Sequence, residues 1–168
     1  MISKMFVLCG EIASGKSSYT KIAASNGYIC VNDDDIVSLV HGSNYQFYDK
    51  SLKILYKSIE NTLVSMSLAL GRSIIIDRGL NVSLQGRKRW LALAKSFDAI
   101  IEAIVFPRSG VEEHALRRMN SDSRGHDYDY WLKVAAHHDK IYVNPSVEEG
   151  FAAVYNITYQ EILDGKII

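Results

Sequence analysis

Eight consecutive residues carry the strongest chemical pattern in the chain: Gly10-Glu11-Ile12-Ala13-Ser14-Gly15-Lys16-Ser17. The spacing G-x-x-x-x-G-K-[ST] suits a backbone that wraps around a run of phosphates. Small residues let the main-chain N–H groups turn inward. Gly10 and Gly15 permit close approach to the ligand and, where needed, a positive φ. A helix beginning near Gly15 aims its free N–H groups and positive dipole end at the same anion. Lys16 would reach the β- and γ-phosphates, and the Ser17 hydroxyl would ligate Mg²⁺, a hard ion that prefers oxygen. Ala13, Ser14 and Ser18 complete the loop, with Ser14 and Ser18 either added hydroxyl donors or small capping residues. An apolar run, Met5 to Cys9, precedes the loop and a helix-compatible stretch, Ser17 to Ser25, follows it. That context implies a nucleoside triphosphate rather than a plain glycine turn.

Three further clusters could complete a reaction. Asn32-Asp33-Asp34-Asp35 places three carboxylates just after an apolar segment. One of them caps the next helix, Asp33 or Asp34 being suited to it. Three exceed what a cap requires, so one, with Asp34 first, is expected to accept a proton from an attacking hydroxyl. Asp34 and Asp35 are expected at the acceptor. Asp77-Arg78-Gly79-Leu80-Asn81 follows a second apolar run. Asp77 either holds a Mg²⁺-bound water, orients the acceptor with Arg78, or is a turn residue. Arg117, Arg118 and Arg124 are candidates to clamp phosphate oxygens. Arg117 and Arg118 point about 100° apart on a helix, so they cannot face one ligand equally. The alternative is a solvated helix face balanced by Glu112, Glu113 and Asp122. His114, His126, His137 and His138 lack the spacing of a zinc site, and structural or surface roles are expected of them.

Alternating apolar segments and helical stretches must position these groups. Strands are expected at about 4–9, 28–31, 73–77, 99–106 and 150–157. Helices are expected at about 15–25, 83–97, 109–122 and 128–142, and a long helical region over 36–70. In that region Leu52, Leu55, Ile59, Leu63, Met66 and Leu70 recur at steps of three and four and read as its buried stripe. Strands alternating with helices predict a parallel sheet covered on both faces. Ligands in such sheets gather at the carboxyl ends of the strands. The glycine loop, the aspartates and Asp77 all fall there, so they should converge.

With 168 residues, the chain has material for one domain with a substantial core. Lys plus Arg equal Asp plus Glu at 19 each, a balance that speaks against a large nucleic-acid footprint but not against a short basic channel. Ten tyrosines are scattered rather than grouped into a stacking motif. Cys9 and Cys30 are read as two buried thiols. No apolar run reaches membrane-spanning length and no leader is expected before the first strand, so the expected compartment is the cytoplasm.

The four blocks together resemble the P-loop kinase domain of polynucleotide kinases and, more broadly, the AAA_33 and zeta-toxin-like small kinases. Gly10 to Ser17 is similar to their G-x-P-G-S-G-K-S/T loop, with Glu11 and Ala13 differing from the commonest form. Asn32 to Asp35 resembles their N-R-D-D block, which implies that Asp34 is the general base. Here Asp33 stands where the family has arginine. Asp77 to Asn81 resembles the D-T-N-L-N block that shapes the acceptor site. Arg118 to Gly125 resembles the arginine lid, which implies that Arg124, with Arg118, contacts the donor phosphates. The expected protein is a single P-loop kinase domain, residues 1–168, a three-layer sandwich with a helical arginine lid at about 109–126. It would use ATP and Mg²⁺ to phosphorylate a hydroxyl on a polynucleotide, either a 5′-OH end or a hydroxylated base. The alternatives are a kinase of a small metabolite and, from another class, a nucleotide-binding regulatory ATPase.

Overall fold

The computed structural model describes residues 3–122 and 124–167. The strands are β1 (Lys4–Cys9), β2 (Ile29–Asn32), β3 (Ile74–Asp77), β4 (Ile100–Val105) and β5 (Ala153–Asn156). They form one parallel sheet in the order β2-β3-β1-β4-β5. Parallel neighbours need crossovers. The helices are α1 (Lys16–Ser25), α2 (Asp33–Val40), α3 (Lys53–Ala69), α4 (Leu84–Ser96), α5 (Val111–Ser121), α6 (Tyr128–Ile141) and α7 (Tyr159–Leu163). No helix among the described residues is long and apolar enough to cross a membrane.

Strand side chains alternate between two cores, as a period of two requires. Met5, Val7 and Cys9 of β1 pack with Val64 and Leu68 of α3 and Trp90 and Ala94 of α4. Phe6 and Leu8 pack on the other face with Tyr19 and Ala23 of α1 and Ile162 of α7. The result is the three-layer α/β sandwich that the alternating pattern predicts. A third small cluster, Ala115, Trp131 and Ala135, joins α5 to α6, with Ile12 of the glycine loop packed against it. Burial pushes the Cys9 thiol up to about 12. Cys30 is only half-buried, and its thiol is pushed up to about 11, chiefly by that burial.

Two expectations about residues 36–70 fail. The region is not one helix: α2 ends at Val40, and short 3-10 turns, Tyr45–Phe47 and Lys50–Leu52, precede α3. The stripe is also on the wrong face. Leu55, Met66 and Leu70 are 44%, 55% and 71% exposed, while Tyr56, Glu60, Val64, Ser67 and Leu68 face inward. Two polar residues on the inner face explain the error. Glu60 meets the guanidinium groups of Arg78 and Arg89, and Ser67 Oγ donates back to the Leu63 carbonyl at 2.7 Å. Hydropathy alone reads such a face as solvent. The helix α7 was also not anticipated.

Arg87, fully buried, ties four segments together. Its Nε and Nη2 donate to Glu149 at 2.9 and 2.7 Å, and its Nη1 donates to the carbonyls of Asn81 and Val143 at 2.9 Å each. Removing one partner of a buried pair strands the other charge and typically costs 3–5 kcal/mol. Arg87→Ala should therefore lower unfolding free energy by about 3–5 kcal/mol in denaturant titration; a loss below about 1 kcal/mol would mean that the clamp is dispensable.

Candidate active site

The glycine loop is built tightly. A Cβ at Gly10 would lie 2.7 Å from Phe106 Cβ, so only glycine lets the chain leave β1 there. Gly15 adopts φ +101°, and Ala13 adopts φ +53°. The left-handed region costs an L-residue about 1–2 kcal/mol, a strain that Ala13 carries where the common family form has glycine. Lys16 Nζ donates to the carbonyls of Gly10 at 2.7 Å and Glu11 at 2.6 Å. Burial lowers the Lys16 pKa, and the Asp77 carboxylate opposes that shift. Glu11, which the motif leaves unspecified, is 1% exposed. It accepts from Arg108 Nε at 3.2 Å and thereby braces the loop against the segment after β4.

Register delivers the acidic residues. In the parallel ladder Asn32 lies beside Asp77, and Asp77 beside Leu8, two residues before Gly10. Asn32 Nδ2 donates to Asp77 Oδ2 at 3.1 Å, while Asn32 Oδ1 accepts from the backbone N–H of Asp34 at 2.8 Å and of Asp35 at 3.4 Å. Asn32 is thus the cap of α2, which corrects the expectation that an aspartate serves there. All three aspartates occupy the first turn instead, where the helix dipole favours them. Asp35 is exposed and lines none of the cavities around the loop, contrary to its expected place at the acceptor. Burial raises the pKa of Asp77, opposed by Lys16 and the Asn32 hydrogen bond.

Asp34 meets two arginines. Arg124 Nη1 lies 3.5 Å and Arg118 Nη2 4.0 Å from Asp34 Oδ2. Asp122 holds both guanidinium groups, at 2.7 Å from Arg124 Nε and 3.7 Å from Arg118 Nη2. Both stack on Trp131, at 5.1 and 5.0 Å from a ring centroid, and Arg124 also covers Tyr45 at 4.7 Å. Partial burial and the neighbouring Asp33 raise the Asp34 pKa, against the two arginines. Arg117 turns away from Asp34: it pairs with Glu113 and donates to the Tyr159 hydroxyl at 2.5 Å.

Three cavities meet around these groups. One of about 400 Å³ is lined by residues 13–18 of the loop with Arg117 and Arg118. A second, of about 280 Å³, lies over Lys16, Ser17, Asp77, Arg118 and Arg124. A third, of about 200 Å³, is walled by Tyr45, Tyr48 and Tyr56. Asp33 and Asp34 line both the second and the third. Three of the ten tyrosines that look scattered in sequence gather here, and Tyr45 and Tyr48 stack at 6.1 Å. Sequence reading missed this wall because it comes from one 3-10 turn, the residue that ends it and α3, with no fixed spacing. Arg78 Nε lies 3.1 Å from Asp33 and 3.5 Å from Glu60. A guanidinium from position 78 thus lies against Asp33. Ser17 and Asp77 offer hard oxygen donors to one cavity, which suits Mg²⁺. Among the described residues no three His, Cys, Asp or Glu side chains cluster as a metal site.

A P-loop over the carboxyl ends of a parallel sheet, a strand-end aspartate and arginines above them define a P-loop NTPase of the kinase type. The chain belongs to the AAA_33 family, described as an AAA domain, whose profile matches residues 5–130. No curated protein matches it. Among solved structures it is similar to an inferred kinase from Chloroflexus aurantiacus, with TM-score 0.69 and 12% identity over 99% of this chain and 89% of that one. It is also similar to a chain of the Pnkp1/Rnl/Hen1 RNA repair complex, with TM-score 0.68 and 20% identity over 83% of this chain and 45% of that one. A gluconokinase from Sinorhizobium meliloti aligns with TM-score 0.52 and 12% identity, over 98% and 90% of the two chains. The chain thus spans less than half of the RNA repair protein that it matches.

Two histidines are buried beside the site. His114 Nε2 accepts from the Ser109 N–H at 3.1 Å. His138 lines the cavity over Lys16, and burial, then the Lys16 ammonium, lowers its pKa from 6.5 to about 4. The folded protein therefore holds His138 neutral. Stability from this group is complete above pH 6.5 and is lost as pH falls toward about 4. At about 1.4 kcal/mol per unit, the whole loss approaches about 3 kcal/mol. Unfolding free energy measured from pH 7 to pH 4 should fall more steeply in the wild type than in His138→Gln; parallel curves would remove His138 from the acid response.

Proposed function

We propose that this chain is a Mg·ATP-dependent kinase that transfers the γ-phosphate to a hydroxyl of a polynucleotide. One observation carries the reading: Asp34 lines both the cavity over the P-loop and the tyrosine-walled pocket. A base so placed can take a proton from a hydroxyl in one cavity while that oxygen attacks phosphorus in the other.

The backbone of residues 10–17 cradles the ATP phosphates, with Ser14 and Ser18 as added donors. Lys16 turns from the Gly10 and Glu11 carbonyls to the β- and γ-oxygens. Ser17 and Asp77 would hold Mg²⁺, which would add positive charge beside those oxygens. The acceptor oxygen bonds to the γ-phosphorus, the bond to the β–γ bridging oxygen breaks, ADP leaves with the electron pair, and the proton passes to Asp34. Arg124 and Arg118 sit above that oxygen path and, as the arginine lid on the α5–α6 pair, compensate charge developing in the transition state. The aromatic wall of Tyr45, Tyr48 and Tyr56 suits the face of a nucleobase. The RNA repair complex among the structural neighbours supports this acceptor. A dependence on ATP fits a cytoplasmic setting.

A small-metabolite kinase is the second reading, favoured by the zero formal charge of the chain and the small volume of the pocket, about 200 Å³. Radiolabelled ATP offered with 5′-OH oligonucleotides, nucleosides and sugars separates the two by the labelled product. Asp34→Asn should cut transfer by about 10²–10⁴-fold with ATP affinity retained. Unchanged turnover would instead favour a regulatory ATPase. Because the Asp34 pKa is raised in the free protein and only its ionised form accepts a proton, the acid limb of kcat/KM should lie above 3.8, the ordinary aspartate value.

A further inference from the structure

We infer that a basic groove beside the acceptor pocket is the track for the polynucleotide strand beyond the acceptor nucleotide. The inference rests on the polynucleotide reading above and assigns the strand a second binding site, remote from the reacting atoms. The groove, about 730 Å³, shares Lys53, Lys57 and Arg78 with the tyrosine-walled pocket and continues past Lys88 and Arg89 of α4. Five cationic side chains line it, and no carboxylate does. This segregation occurs in a chain whose formal charge is zero.

The cations divide into two sets. Arg78 and Arg89 are committed to the floor, where the buried Glu60 pairs with both. Lys53, Lys57 and Lys88 have no carboxylate within 4.0 Å among the described residues, so their ammonium groups are available to an outside anion. Lys53 and Lys57, one turn apart on α3, rise about 6 Å along one helix face. The start of α4 forms the opposite bank. Ser83, Gln85 and Gly86 line the groove there, and Ser83 Oγ caps the helix by accepting from Gly86 N at 3.0 Å. The positive end of a 13-residue helix thus adds to the same field.

A small sugar or nucleoside would fill the tyrosine-walled pocket and leave this groove unused. A strand whose terminal nucleotide entered the pocket would lay its following phosphates between α3 and α4. The occupant is therefore a single-stranded polynucleotide, held by phosphate rather than by base identity. Arms with DNA and with RNA of one sequence tell which sugar the groove accepts.

The experiment compares phosphorylation of a dinucleotide and a 12-mer by the wild type, Lys88→Glu and Gln85→Glu. Both substituted residues are exposed, line the groove and lie outside the tyrosine-walled pocket. The 12-mer should show a KM about tenfold below that of the dinucleotide, with a steeper salt dependence. Each substitution should raise the 12-mer KM several-fold and leave kcat and the dinucleotide KM unchanged. Lys88→Glu should also shallow the slope of log KM against log salt by about 0.7 per lost phosphate contact. Equal KM values for the two lengths, or a 12-mer KM and salt slope unmoved by both variants, would overturn the groove while leaving the kinase reading intact. Absence of transfer to any oligonucleotide would overturn the acceptor reading instead. The groove is then judged separately by fluorescence anisotropy with a 5′-phosphorylated 12-mer, which needs no reaction. Binding weakened by Lys88→Glu upholds it, and no binding sinks it.

Discussion

The parallel register of three neighbouring strands is the constraint on which the site depends. Because β1 lies beside β3, and β3 beside β2, the chain ends of all three strands emerge at one edge. Leu8, Asp77 and Asn32 then stand in a row across the ladder. A shift of one residue in β3 would turn Asp77 to the opposite face and break its bond to Asn32. Asn32 links this row to the next element by capping α2 with the other end of the same amide. One side chain therefore fixes a strand-end carboxylate and the first turn carrying Asp34.

Charge pairing completes the arrangement. The site places Asp33 against Arg78, Glu60 against Arg78 and Arg89, and Asp34 against Arg124 and Arg118. Few of these charges are fully solvated, and a carboxylate buried without its arginine would be costly. The partners come from separate parts of the chain, so each pair also joins elements: α2 to the end of β3, α3 to α4, and α2 to the segment after α5. Formal neutrality conceals this division, with acids and bases balanced in number but sorted in space.

The sandwich and the phosphate loop were legible because they rest on local rules. Period-two and unbroken apolar runs mark the five strands, and the loop requires glycine at fixed places. The parts that were not legible depend on tertiary pairing. Glu60 and Ser67 on α3 look like solvent residues until Arg78, Arg89 and the Leu63 carbonyl are seen to satisfy them. No spacing singles out Arg87, because its partner Glu149 lies 62 positions away. The cap went to Asn32 rather than an aspartate because Asn can accept with its oxygen and donate with its nitrogen at once, which a carboxylate cannot. Asp33 stands where the resembled block carries arginine, and Arg78 from the neighbouring strand end pairs with it.

The clamp on Arg87 has a mechanical consequence for the far end of α6. Its hydrogen bond to the Val143 carbonyl, with that of Val143 N–H to the Val82 carbonyl at 2.8 Å, pins the chain just past Ile141. The 14-residue α6 then extends about 21 Å from that pin toward Arg124. The helix is a lever with its fulcrum remote from the chemistry. A tilt of about 5° at the pinned end sweeps the other end through about 2 Å, comparable to the difference between a direct hydrogen bond and a water-bridged one. A tilt at the end that the buried arginine pins would therefore move the start of α6 more than the pinned end itself.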